Sequence, residues 1–320
     1  MLIVQKFGGS SLAGIERLRR AAGICMEARH REHEVVMVVS AMGDATDRLV
    51  ELAQQISPRP SLREMDALMT TGEQQSAALM AIMLESMGAK AQSFAGWQAG
   101  IMTDGEFGRG DIRLIAPSRI LEAVSRGRVA VVTGFQGFCA SGDITSLGRG
   151  GSDTTAVALA AALEAERCEI YTDVAGIYSA DPRLIPEARR LDCIDFRDML
   201  ALARAGSQVL HPRSVELAMA NSMELSLLSS FEESGGSTVR FLKESSRPPF
   251  AGVTRCAESS QISLVGRSAD AAALSKMALT LAGRGISVLS GALSENCASV
   301  TVAPELLLSA MEHIHREMVL

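Results

Sequence analysis

The sequence has 320 residues, 47% hydrophobic and 21% charged, with a formal net charge of −6; it is long enough for two domains and has an ordinary globular composition. The acidic balance argues against a nucleic-acid surface but leaves room for a locally basic site. None of the six cysteines forms a Cys-x-x-Cys pair, the start shows no signal-peptide layout, and no apolar run approaches the roughly 20 residues of a membrane span, so the expectation is a cytoplasmic protein without a disulfide scaffold, a Cys-rich zinc site, a nucleic-acid partner or a membrane partner.

The first apolar run, residues 2–4, reads as a strand and leads into Lys6-Phe7-Gly8-Gly9-Ser10-Ser11. Glycines let backbone N–H groups approach phosphate oxygens, and a following helix start favours anions. Lys6 is then either a cation for a transferring phosphoryl group or a solvated lysine in a Gly turn. A second strand, 35–39, ends in Ser40-Ala41-Met42-Gly43. Before the next one, an Ala- and Leu-rich stretch at 67–87 predicts a helix. Within it, Thr70-Thr71-Gly72-Glu73-Gln74-Gln75-Ser76 places Glu73 near a helix start, where the dipole favours a carboxylate and capping alone explains the residue.

A third strand, 129–132, ends at Thr133-Gly134. It is followed by Ser146-Leu147-Gly148-Arg149-Gly150-Gly151-Ser152-Asp153-Thr154-Thr155 and a predicted helix over 154–165. Ser152 or Asp153 suits the cap of that helix. Capping does not account for three glycines around one arginine, whereas Arg149 in such a loop suits bidentate recognition of a carboxylate. The loop is neither Gly-x-x-x-x-Gly-Lys-Ser/Thr nor Gly-x-Gly-x-x-Gly, which disfavours the common nucleotide folds.

The strand 169–171 leads into Thr172-Asp173-Val174-Ala175-Gly176-Ile177-Tyr178-Ser179-Ala180-Asp181-Pro182-Arg183. Asp173, at a strand end, is placed to orient a magnesium nucleotide, Tyr178 to pack on a base, and Asp181 and Arg183 to border the nucleotide; Asp-Pro also starts ordinary turns. Continuous apolar runs alternating with helices predict a parallel sheet buried on both faces, with ligands beyond the carboxyl ends of its strands. Residues 243–249, with two prolines, read as a linker. After it the pattern is strand 261–265, helix 269–282, strands 286–293 and 298–303, and a helix 304–318 opened by Pro304.

Taken together, KFGGSS, the VVVSAMG-like run at 36–43, TTGEQQSAALMA, SLGRGGSDTTA, TDVAGIYSADPR and VLHPRSVELA occur in the order seen in aspartokinases of the amino-acid kinase superfamily, and the chain resembles that family over roughly its first 240 residues. The resemblance implies a three-layer αβα fold with a mostly parallel sheet over residues 1–243, a linker at 244–250 and a small ACT-like βαββαβ domain at 251–320, regulatory or dimerising. It implies phosphorylation of the β-carboxylate of L-aspartate by Mg-ATP, with Mg²⁺ carried by the nucleotide rather than by direct protein ligands, and a homodimer or higher homo-oligomer. By motif position, Lys6 and Asp153 are implied as catalytic. Glu73, Arg149, Ser40 and Ser152 are implied on the substrate, with Glu73 on its ammonium and Arg149 on its α-carboxylate. Lys6, Gly8, Gly9, Ser10, Thr172, Asp173, Tyr178, Asp181 and Arg183 are implied on ATP.

Two departures stand out. Gln208 occupies a position where the family commonly has Lys or Arg, and the chain has room for one ACT module where the family usually carries two. Alternative readings are a kinase for another small acid, such as glutamate, acetylglutamate or carbamate, and a weakly catalytic amino-acid sensor.

Overall fold

The computed structural model describes residues 1–232 and 235–320. It divides into two compact units, one of residues 1–175 with 220–235 and the other of 176–219 with 236–320.

In the first unit the strands Leu225–Ser229, Arg167–Thr172, Leu2–Phe7, Glu34–Val39, Val129–Thr133 and Ala91–Phe94 lie side by side in that order, all parallel. The four strands read from the sequence are all present, each longer than its apolar core by one to three residues. Alternate residues Ile3, Phe7, Val35, Met37, Val39, Val129 and Val131 form one core with Leu18, Ala22, Met80 and Leu84 of the helices Ile15–His30 and Thr71–Ser86. The intervening residues Val4, Val36, Val38, Ala130 and Val132 are buried as well. On strands 2–7, 129–133 and 167–172 pack the helices Ser118–Ser125 and Gly151–Ala162. Burial on both faces is why these strands read as unbroken apolar runs. A second, smaller sheet orders the short strands Ile112–Ile115, Ile101–Thr103, Gln136–Phe138 and Ile144–Ser146.

The stretch 67–87 is not one helix. It ends one helix, Leu62–Met69, and opens another at Thr71, with Thr70 capping both. The Thr70 hydroxyl bonds back to the Asp66 carbonyl at 2.8 Å, completing the first helix locally. The helix expected at 154–165 begins earlier, at Gly151, and its cap is Gly150, whose φ of 69° is left-handed. Neither Ser152 nor Asp153 caps it; glycine takes that position because the required backbone is strained for other residues.

In the second unit, the strands Gly252–Cys256, Gln261–Val265, Cys297–Thr301 and Ser290–Ser294 form an antiparallel sheet in that order. The helices Ala271–Ala282 and Leu307–Met318 bury Met277, Leu281, Met311 and Ile314 with Ile262, Leu264, Ala298 and Val300 of the sheet. The small α+β domain expected from the sequence is present. Its edge strand beside 261–265 comes from 252–256, ahead of the first helix, rather than from a strand after the second. Pro304 opens a short 3-10 turn that leads into the last helix. Asp195 caps the helix Phe196–Arg204 by accepting from Arg197 N–H.

The proline-bearing segment 243–249 is more than a spacer: Arg247 is 4% exposed and its guanidinium bonds Asp198, which is fully buried, at 3.2 and 2.5 Å. Among the described residues no helix is long and apolar enough to cross a membrane.

Candidate active site

At the carboxyl ends of strands 2–7, 34–39 and 129–133, a cleft of about 340 Å³ is lined by Lys6, Gly9, Ser40, Glu73, Arg149, Ser152 and Asp153, with the backbone of 148–151 between them. Six of the residues implied for catalysis or substrate binding are therefore together. Phe135 and Thr46 also line it.

Lys6 Nζ meets Asp153 Oδ1 at 2.5 Å, with the two side chains 11% and 13% exposed. The oxygen lies off any hydrogen-bond line, so the contact is an ion pair rather than an aligned bond. Asp153 sits in the first turn of the helix 151–162, where the helix dipole adds to the field of the lysine.

Glu73 is 4% exposed. Its Oε1 accepts the Ala41 N–H at 3.0 Å, while Oε2 is buried without a partner. It does not cap its helix, which carries no side-chain cap bond. The helix approaches the 40–43 loop closely enough for this bond because residue 72 is glycine: a Cβ there would lie 2.9 Å from Ala41 Cβ. Burial pushes the Glu73 carboxyl up to about 7, against the lowering by the Ala41 N–H. A buried carboxylate with one oxygen unsatisfied fits a cationic ligand group, since the Ala41 N–H offsets only part of its desolvation.

Arg149 is exposed at the mouth of the cleft, in a loop whose glycines at 148 and 150 have φ of 70° and 69°. Ser40 continues strand 34–39 through its N–H bond to the Phe7 carbonyl at 3.1 Å. Ser152 packs against Gly134, where a Cβ would lie 2.6 Å from its Oγ. The 8–12 turn is closed by Ser11 N–H to the Gly8 carbonyl at 3.0 Å and Leu12 N–H to the Gly9 carbonyl at 3.1 Å, with Ser10 exposed. Ser230, which no motif singled out, bonds Ser11 Oγ at 2.7 Å and the Thr172 carbonyl at 3.1 Å, tying that turn to the end of strand 167–172.

Thr172 donates to the exposed Asp173 carboxylate at 3.1 Å. Tyr178, Asp181 and Arg183 belong to the second unit. There Tyr178 pairs with Arg190 in a two-stranded ribbon. Arg183 bonds both oxygens of Asp181 at 3.0 and 2.8 Å, and this guanidinium holds the Asp181 carboxyl below its ordinary value. Sequence reasoning also passed over Phe135, which enters the cleft region from a φ of 68°. The Gly134-Phe135 pair after an apolar strand is the only hint of it.

A two-carboxylate, two-cation cleft of this kind can hold a zwitterion and neutralise a transferring anion. Known proteins bear on which one. The amino acid kinase family model matches residues 1–229. An aspartokinase of Thermus thermophilus is 46% identical over 287 residues, 90% of this chain and 71% of its own length. The structure of an aspartate kinase from Synechocystis superposes with a TM-score of 0.68 at 38% identity, covering 99% of this chain and 55% of that one. The structure of E. coli aspartokinase III in complex with aspartate and ADP superposes with a TM-score of 0.73 at 26% identity, covering 98% of this chain and 84% of that one. This chain thus spans only a little over half of the Synechocystis protein. With the motifs in order, the fold shared and the cleft assembled, the chain belongs to the amino acid kinase family and, within it, to the aspartokinases.

Proposed function

We propose that the chain transfers the γ-phosphoryl group of ATP to the β-carboxylate of L-aspartate, giving 4-phospho-L-aspartate. The observation that carries this reading is the unpartnered Oε2 of buried Glu73 in the same cleft as Arg149 and the Lys6–Asp153 pair. Glu73 takes the α-ammonium and Arg149 the α-carboxylate, with Ser40 and Ser152 beside them. That leaves the β-carboxylate free to meet the phosphoryl group near Lys6. This oxygen is already ionised at neutral pH and needs no base. It forms a bond to the γ-phosphorus as the bond to the ADP oxygen breaks, and no proton moves. Lys6 offsets the charge of the transferring group, and Asp153 holds Lys6 in place. Gly8, Gly9 and Ser10 form the phosphate-side turn, and Thr172, Asp173, Tyr178, Asp181 and Arg183 serve the nucleotide.

Magnesium would enter with the nucleotide: the carboxylate beside Lys6 already faces a cation, and Mg²⁺ is ordinarily held by one or two carboxylates together with substrate phosphates. When bound it neutralises phosphate charge. Residues 1–243 form the catalytic region on this reading, and the ACT-like residues 251–320 regulate or dimerise.

The test is ADP release with hydroxylamine trapping of the acyl phosphate, using aspartate, glutamate and N-acetylglutamate in parallel. Aspartate alone should yield the hydroxamate; a preference for either other acid sinks the substrate assignment. Arg149→Ala should lower kcat/KM for aspartate by roughly 10- to 100-fold, the loss of one charged hydrogen-bonding partner, with the KM for Mg-ATP little changed. An unaltered aspartate kcat/KM would remove Arg149 from the site.

A further inference from the structure

Asp66 is fully buried in the helix Leu62–Met69 and is not among the residues lining the cleft. Its carboxylate nevertheless accepts three hydrogen bonds from another part of the fold. They come from the Gly108 N–H at 2.8 Å, the Ser146 N–H at 2.9 Å and the Ser146 hydroxyl at 2.6 Å. Ser146 in turn accepts the Gly110 N–H on its carbonyl at 2.8 Å. Ser146 is the last residue of its strand and opens the loop that carries Arg149.

The helix bearing Asp66 leads through Thr70 directly into the helix bearing Glu73. That junction is itself held: the Thr70 carbonyl accepts Gln136 Nε2 at 2.9 Å, and Gln136 pairs with Ser146 across the small sheet. Asp66 therefore joins two segments that meet nowhere along the sequence. One presents Glu73 to the cleft and the other presents Arg149. A carboxylate taken wholly out of water is costly unless its lone pairs are filled. Three charge-assisted bonds satisfy both of its oxygens and at the same time fix the relative placement of the two segments.

We propose that Asp66 is a positioning residue that sets the separation between Glu73 and Arg149, and so makes the cleft select substrates bearing an ammonium and a carboxylate on one carbon. The inference rests on the roles proposed above for those two residues. A ligand that uses only one of the two grips is indifferent to their spacing, whereas one that uses both is not. β-Alanine is aspartate without its α-carboxylate, so it keeps the Glu73 contact and has nothing for Arg149.

The experiment measures, for the parent, Asp66→Asn and Ser146→Ala, the KM for aspartate, the Ki of β-alanine against aspartate, and the KM for Mg-ATP. Asparagine keeps one acceptor oxygen but turns a donor toward N–H and O–H groups. It should raise the aspartate KM on the order of 10-fold, the scale of one charged hydrogen bond. The β-alanine Ki and the Mg-ATP KM should stay within about twofold. Ser146→Ala removes only the hydroxyl bond and should act in the same direction by roughly threefold; it decides the matter if Asp66→Asn does not fold. A purely structural role would lower the active fraction, hence apparent kcat, and leave the aspartate-to-β-alanine ratio where it was. That outcome, or equal changes for both ligands, overturns the proposal. A parent enzyme that binds β-alanine as well as aspartate would instead overturn the two-grip reading itself, and the proposal with it.

Discussion

Lys6→Met is expected to reduce kcat by about 10³-fold at saturating aspartate and Mg-ATP, because in the proposed mechanism an uncharged side chain of similar length removes the cation that offsets the charge of the transferring phosphoryl group. The geometry adds a second consequence. Lys6 and Asp153 are 2.5 Å apart and each about one-tenth exposed, so methionine leaves Asp153 without its counter-ion in a place water barely reaches. Some loss of stability should accompany the loss of turnover. The double variant Lys6→Met with Asp153→Asn separates the two effects. It should recover the melting temperature and recover none of the activity. Wild-type-like kcat in the single variant, with normal Mg-ATP dependence, would reduce Lys6 to a structural partner of Asp153.

Glu73→Gln should abolish useful aspartate binding while making the fold more stable at alkaline pH. Desolvation raises the carboxyl from its usual 4.5 to about 7. Between those values the folded protein holds a proton that the unfolded chain has lost, so stability falls as pH rises through this window and stays lowered above it. At pH 8 the buried charge costs about 1–3 kcal/mol, which glutamine does not incur. Glutamine can still accept the Ala41 N–H. Thermal melts of the two proteins should therefore coincide near pH 5 and separate near pH 8, with the variant higher. Coincidence at both pH values would refute the burial account. In the parent, only ionised Glu73 can pair with an ammonium, so the KM for aspartate should climb about tenfold per unit as pH drops below about 7.

The large sheet was legible because its strands are buried on both faces and read as short apolar runs. Three of the runs stop at a Ser or Thr, at Ser40, Thr133 and Thr172, whereas the first strand continues through Gln5, Lys6 and Phe7 to Gly8. The short strands between 101 and 146 were not legible, because runs of three or four residues, partly exposed, carry no periodicity to read. The break at Thr70 was hidden by uniform Ala and Leu content on its far side. Beyond it Gly72 meets Ala41, a contact between distant segments that no local pattern encodes. For the same reason Glu73 looked like a cap in isolation and became a cleft carboxylate only when the 40–43 loop was placed against it. Lys6, Arg149 and Asp153 could be singled out because glycine-rich loops mark them. Asp66 lies in an unremarkable amphipathic helix, and its three partners come from residues 108 and 146.

Arg247 changes how the protein can be divided. Besides Asp198, it bonds Glu244 at 3.1 Å and the Asn296 side chain at 2.9 Å, and its carbonyl accepts from Arg267 Nε at 2.9 Å. Asp195 and Asp198 are both fully buried. A fragment ending at Lys243, where the proline-rich stretch invites a cut, would keep both carboxylates and discard the guanidinium that neutralises Asp198. Such a fragment would carry the Asp198 carboxylate without its counter-ion, a destabilisation independent of its catalytic residues. Replacing Asp198 with asparagine in the same fragment would relieve it. A protease searching for an exposed hinge would likewise find this stretch fastened by its own arginine.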